Sequence, residues 1–178
     1  YMQVLMEKIR PHLQTNGGNV ILMAVENEYG SFGNSREYMN KCGQLLQDCG
    51  VDVPLVTADG HLDIFLNGGM ADGAIPALDF GYDHEILPVH FAALGQLAPE
   101  VPKLHLEHWI GAIAHWDAPV LRYPAEDAAR EVRQQLDRGI NFNLYMFHGG
   151  TNFGFMNGAN HTADDPENRI KNRYEPGI

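Results

Sequence analysis

Met2, Leu5, Met6, Ile9 and Leu13 recur at intervals of three and four, so residues 2–13 read as an amphipathic helix that Asn16-Gly17-Gly18 stops. Val20 to Val25 is a continuous apolar run after that turn, the pattern of a strand buried on both faces. Ser35 has the side chain of an N-cap for a helix ending at Gly50. Val53 to Thr57 is the next strand, and Pro54 suits only its start. Asp59-Gly60 reads as a turn, Leu62 to Leu66 as a short helix and Ala77 to Phe80 as a brief strand. His90, Phe91, Leu94 and Leu97, following Pro88, predict a helix, and Lys103 to Leu106 a strand. Pro124 opens the most clearly marked helix: Glu126 and Asp127 lie in its first turn, Ala128, Val132 and Leu136 form the expected buried stripe, and Gly139 ends it after Arg138. Ile140 to Phe147 is the last strand, and the chain from 155 onward is polar and turn-rich.

Strands that alternate with helices, without hairpin dipeptides between them, predict an α/β fold with a parallel sheet. Two architectures fit, an open doubly wound sheet or part of a (β/α)8 barrel. No Gly-x-Gly-x-x-Gly follows the first strand and no Gly-x-x-x-x-Gly-Lys occurs, so dinucleotide and P-loop readings lose their support. Twelve Lys+Arg against 23 Asp+Glu give a net charge of −11. A surface that acidic repels phosphate backbones and anionic lipid, so neither nucleic acid nor membrane is an expected partner. Cys42 and Cys49 fall on one predicted helix, separated by roughly 10.5 Å of rise, too far for a disulfide. His105-x-Glu107 resembles half of a zinc-deaminase signature, but the Pro-Cys-x-x-Cys half and any His-Glu-x-x-His are missing, so no metal site is expected.

The residues suited to chemistry fall just past the strand runs. Val25 leads into Glu26-Asn27-Glu28-Tyr29-Gly30, Leu106 into Glu107-His108-Trp109, and the last strand carries Tyr145 into His148-Gly149-Gly150. In parallel α/β folds the C-terminal strand ends face the ligand, so carboxylates after two separate strands can converge across a cleft. Two carboxylates flanking a bond are what glycoside hydrolysis requires: one serves as acid and then base, the other as nucleophile or activator of water. Tyr29, Trp109, Trp116, Tyr145 and Phe153 add aromatic faces for a sugar. A single Glu at a strand end can equally cap a turn or pair with an arginine, so the pattern alone stops at an acidic α/β protein with a two-carboxylate cleft.

Longer stretches carry a resemblance. Ala-Val-Glu-Asn-Glu-Tyr-Gly-Ser-Phe-Gly (24–33) and Asn-Leu-Tyr-Met-Phe-His-Gly-Gly-Thr-Asn-Phe-Gly-Phe-Met-Asn-Gly-Ala-Asn (143–160) closely resemble glycoside hydrolase family 35, the β-galactosidases. Val-Pro-Leu-Val-Thr-Ala-Asp-Gly from 53 and Lys-Leu-His-Leu-Glu-His-Trp from 103 lie where further motifs of that family fall. The resemblance implies part of a catalytic (β/α)8 barrel, roughly strands 4 to 8, and retaining hydrolysis of terminal β-galactosyl residues of an oligosaccharide or glycoconjugate. It implies Glu28 as general acid/base, Glu107 as nucleophile, Asn27 as the side chain that binds the sugar 2-hydroxyl, and Tyr145 as a wall of the galactose pocket; it implies no metal or other cofactor. Glu26, two residues before Glu28, would point the same way on an extended strand.

The chain also departs from the family. Past the nucleophile, Ala112 and Ala114 stand where a Trp and an Asp or Asn are usual, a change bearing on the aglycone side, and Asn19 replaces a usual Pro. The resemblance further implies that residues 1–178 are the C-terminal part of the barrel, lacking earlier strands and later β-sandwich domains and inactive by themselves. A barrel needs about 250 residues. Two other readings are an exo-β-glucosaminidase of similar fold and a non-catalytic carbohydrate-binding remnant; the remnant would be expected to lose a carboxylate, and this chain retains both.

Overall fold

A computed structural model describes residues 1–81, 87–111, 114 and 122–146. Trp116, the 147–160 stretch and the polar residues from 155 onward lie outside the described residues. The elements are α1 (Met2–Ile9), β1 (Met23–Ala24), α2 (Arg36–Asp48), β2 (Leu55–Gly60), α3 (Asp63–Gly69), β3 (Ile75–Gly81), α4 (Leu87–Leu97), β4 (Leu104–Trp109), α5 (Ala125–Asp137) and β5 (Asn141–Tyr145).

All five strands pair in parallel, in the order β1-β2-β3-β4-β5. This order decides between the two architectures. A doubly wound sheet reverses its strand order at a switch point, whereas successive strands of a (β/α)8 barrel each pair with the next. The chain has the second arrangement.

Local chemistry explains most boundaries. Ser35 caps α2, its Oγ accepting from the Tyr38 amide at 3.2 Å. Pro54 sits just before β2, where its carbonyl accepts from Met23 and its missing N–H costs nothing. Gly139 ends α5 at φ 65°, in the left-handed region that glycine enters freely.

Three expectations change. The apolar run 20–25 is not a strand buried on both faces: only Met23–Ala24 pair, on one side, and Ile21 is 63% exposed. Among the described residues β1 is the sheet edge, and Val20 instead bridges back to Leu13. Asp59-Gly60 is not a turn, because β2 continues through Gly60. The buried face of α5 is not Ala128, Val132 and Leu136; Glu131 and Gln135 are fully buried and Leu136 is 54% exposed.

The polar interface explains that last reversal. His105 and His108 of β4 are both fully buried against α5. His105 Nδ1 lies 2.9 Å from Gln135 Oε1, His108 Nδ1 2.9 Å from Gln135 Nε2, and His108 Nε2 3.5 Å from Glu131. Buried polar groups demand partners, so an apolar α5 stripe here would strand two imidazoles. Burial first of all holds His105 down to about 4, keeping it neutral at physiological pH despite the opposing Gln135 bond.

Two apolar clusters flank the sheet. Met6, Leu13, Met39, Leu46 and Leu55 join α1 and α2 to β2, while Leu66, Leu78, Phe80, Phe91, Leu94 and Ile140 join α3 and α4 to β3. Each fully buried Leu or Phe side chain contributes about 1.5–3 kcal/mol. These clusters hold the strands whose C-terminal ends carry the site.

Candidate active site

The parallel strands deliver their C-terminal ends to one rim. There a cleft of about 360 Å³ is lined by Glu28 and Ser31 beyond β1, Gly60 at the end of β2, His61 and Phe65 after it, Asp79, Phe80 and Gly81 of β3, His90 of α4 and Trp109 of β4.

Glu28 is placed by an abrupt turn. β1 ends at Ala24, the Glu28 amide donates to the Ala58 carbonyl at 2.8 Å, and Glu28 itself adopts φ 51°, ψ 32° before a 3-10 turn over Tyr29–Ser31. A left-handed conformation costs a non-glycine residue roughly 1–2 kcal/mol. Such backbone strain gathers where a side chain must be aimed. Gly30 is required next to it: an added Cβ would sit 1.7 Å from the Phe65 carbonyl oxygen and 2.8 Å from an Asp59 oxygen.

This turn separates Glu26 from Glu28. On a continuing extended strand the two would share a face; instead Glu26 accepts from the Tyr38 hydroxyl at 2.5 Å and from the Asn27 amide at 3.0 Å. Glu26 and Asn27 line a neighbouring concavity of about 470 Å³ with Tyr29, Phe32 and Tyr38. Asn27 is therefore placed beside the Glu28 cleft rather than in its lining.

Glu107 is placed by a β-bulge. Leu78 pairs with His105 but Asp79 with Glu107, and on the other side His105 pairs with Phe142 but His108 with Leu144. One extra residue of β4 is thus accommodated between His105 and His108, which lets both histidines reach α5 although they are three apart. The carboxyl of Glu107 is held by the Trp109 indole, whose Nε1–H donates to Oε2 at 3.0 Å, and its backbone amide donates to Asp79 Oδ1 at 2.9 Å.

Four acids now share one field. Burial first, then the Glu107 charge, raises Glu28 above the ordinary carboxylate range. Asp59 is pushed up to about 7, by burial first and also by Glu28, against the Gly30 amide bond at 2.8 Å that favours its charge. Asp79 is pushed up to about 8, by burial first and then by Glu107 and Glu28. Tyr145, opposite Trp109 in the β4–β5 register, has its hydroxyl raised by burial and then by Glu107, Asp79 and Glu28. Glu28, Glu107 and Tyr145 are thus close enough for their charges to act on one another.

Comparison with known proteins bears on the family and the fold. The model of the glycosyl hydrolases family 35 matches residues 1–173. The chain belongs to glycosyl hydrolase family 35. It is 39% identical over 162 residues to a beta-galactosidase of Felis catus, covering 90% of this chain and 24% of that protein. It is 35% identical to beta-galactosidase 17 of Arabidopsis thaliana, over 100% of this chain and 25% of the relative, and 34% identical to a beta-galactosidase of Xanthomonas manihotis, over 99% and 28%. The chain spans about a quarter of the length of these curated relatives. A solved structure of a beta-D-glucuronidase from Dictyoglomus thermophilum superposes with a TM-score of 0.57, covering 99% of this chain and 33% of that one at 15% identity. That likeness concerns the fold, and with five successive parallel strands it makes this family 35 chain a partial (β/α)8 barrel.

Sequence reasoning missed Asp59 and Asp79. Each is an acid inside an otherwise buried strand, Val-Thr-Ala-Asp and Ala-Leu-Asp-Phe, and that interruption of an apolar run was the available signal. Each accepts a backbone amide at the site: Asp59 from Gly30 after Glu28, Asp79 from Glu107.

Proposed function

We propose that this family 35 chain carries the two carboxylates of a retaining glycosidase acting on terminal β-galactosyl residues, with Glu28 as general acid/base and Glu107 as nucleophile. One observation carries the reading: Glu28, beyond β1, lines the cleft together with Trp109 of β4, whose indole N–H holds the Glu107 carboxyl, and the Glu107 charge adds to burial in raising Glu28.

The chemistry follows from that coupling. The Glu107 carboxylate attacks the anomeric carbon as the bond to the aglycone oxygen breaks and Glu28 gives that oxygen its proton. Forming the ester removes the Glu107 charge, and with it one of the two causes that raise Glu28. Glu28 then accepts a proton from water, the water oxygen bonds to the anomeric carbon, and Glu107 leaves as a carboxylate. The Trp109 indole N–H is aimed at the oxygen that regains this charge. Tyr145 would border the sugar beside Glu107, and Asn27 would reach its 2-hydroxyl from the adjoining concavity. The galactosyl preference rests on the names of the relatives, each a beta-galactosidase.

Retention is directly readable. With an aryl β-galactoside and the full-length protein, proton NMR in the first minutes is expected to show the β anomer of galactose ahead of its mutarotation. Initial release of the α anomer would mean that a water, not Glu107, attacks the anomeric carbon.

A further inference from the structure

The proposed reaction uses Glu28 and Glu107 but gives no task to Asp79. This residue of β3 lines the cleft with Glu28 and Trp109 and is 2% exposed. Its Oδ1 accepts from the Glu107 amide at 2.9 Å, while its buried Oδ2 has no hydrogen-bond partner among the described residues. The bond falls where β4 bulges relative to β3, with Leu78 opposite His105 and Asp79 opposite Glu107. On the β3 side Leu106 is the extra residue, and directly after it the Glu107 amide takes the Asp79 side chain as its acceptor.

The charge state of that side chain matters. Facing Asp79 are Glu107 from β4, Glu28 beyond β1, Asp59 from β2 and Tyr145 from β5, and His61 and His90 share its cleft. An ionised Asp79 would set a second buried negative charge against the carboxylate it braces. Burial and the neighbouring acids, which push it up to about 8, oppose that ionisation at neutral pH.

We propose that Asp79 is a positioning residue of this glycosidase: as a neutral carboxylic acid it fixes the Glu107 backbone at the bulge through Oδ1, so that no second charge competes with Glu107 at the anomeric carbon. The proposal rests on the reading of Glu107 as nucleophile. It differs from a merely structural role in what it demands of substitutions. Asparagine reproduces a neutral acid, with a carbonyl oxygen for the Glu107 amide and a donor in place of the protonated Oδ2. Leucine has similar bulk but leaves the Glu107 amide without its acceptor.

The test is kcat/KM against pH for the full-length wild type, Asp79→Asn and Asp79→Leu on an aryl β-galactoside, with melting temperatures and the wild-type site of fluorosugar labelling measured alongside. Asp79→Asn is expected to stay within about threefold of wild type, with neither limb of its pH profile moved to lower pH. Asp79→Leu is expected to lose roughly 10- to 100-fold, mostly in kcat, as an unpaired buried amide lets Glu107 shift. If Asp79 is instead ionised, Asp79→Asn removes a charge that holds protons on Glu28 and Glu107, and both limbs move to lower pH. That shift, an Asparagine variant as impaired as the leucine one, or a folded leucine variant with wild-type kcat would each overturn the proposal. If Asp79→Leu does not fold, the asparagine profile alone decides. A wild type that hydrolyses the substrate but is labelled elsewhere than Glu107 overturns the nucleophile reading, and the present inference with it; labelling at Glu107 with a shifted asparagine profile overturns this inference alone.

Discussion

Replacing Glu107 by glycine is expected to lower kcat on an aryl β-galactoside by at least about 10⁴-fold, since the proposed nucleophile is the one group whose loss removes the covalent route altogether. The surroundings make substitution by another acid ineffective. Asp79 is buried, bound to the Glu107 amide and raised to about 8, and Asp59 is bound to the Gly30 amide. Neither presents a free carboxylate at the place Glu107 occupies. The glycine variant leaves room for a small anion, so added azide should restore turnover and yield the α-galactosyl azide, with the configuration inverted by a single displacement. Because the Glu107 side chain is only half-buried at the rim, the fold should survive, as a melting temperature near that of wild type would show. Retention of wild-type activity in the folded variant would remove Glu107 from the chemistry.

Glu28→Ala should separate the two half-reactions. A substrate with an activated leaving group, such as a dinitrophenyl galactoside, needs no proton to depart and should still form the glycosyl-enzyme. An unactivated alkyl galactoside should lose about 10²- to 10⁴-fold, the usual contribution of a positioned acid. The pH dependence has a definite sign. As the proposed acid, Glu28 must hold its proton for the first step, so its contribution to wild-type kcat/KM is present below its raised pKa and lost as pH rises through it, which makes Glu28 the source of the alkaline limb. The alanine variant has no such group and should lose that alkaline limb on the activated substrate. Azide should now give the β-galactosyl azide, the opposite stereochemistry from the Glu107 variant. Equal losses on both substrates, with the alkaline limb intact, would assign the acid to another residue.

Much of the fold was legible because alternating apolar runs and helical spacings reported burial directly. Ser35, Pro54 and Gly139 marked boundaries through local backbone chemistry, and the structure has them in those roles. The failures share a cause: they depend on what lies across from a residue. Val20 to Val25 reads as a doubly covered strand, but burial needs a neighbour on each side, and β1 has only β2 among the described residues. The α5 stripe reads as apolar from helical spacing alone, but two histidines on β4, far away in sequence, reverse which face must be buried. At the site, Glu28 and Glu107 were visible as acids where apolar runs give way to polar residues, although β4 runs on through Trp109 and so contains Glu107 rather than ending before it. The bulge at Glu107 and the left-handed turn at Glu28, which aim them, arise from pairing and close packing that no spacing rule encodes. Asp59 and Asp79 were hidden for the same reason, since their function as acceptors appears only when β2 and β3 lie beside the segments they brace.

The central claim is that Glu107 forms a covalent galactosyl ester, and the most direct measurement is mass spectrometry of the full-length protein after incubation with an activated 2-deoxy-2-fluoro-β-galactoside. The fluorine slows both steps while the good leaving group spares the first, so the ester should accumulate. The account predicts one added fluorogalactosyl mass, located by peptide mapping on Glu107 and slowly lost as activity returns. A protein that hydrolyses β-galactosides yet takes up no label, or takes it up on a different residue, would contradict it.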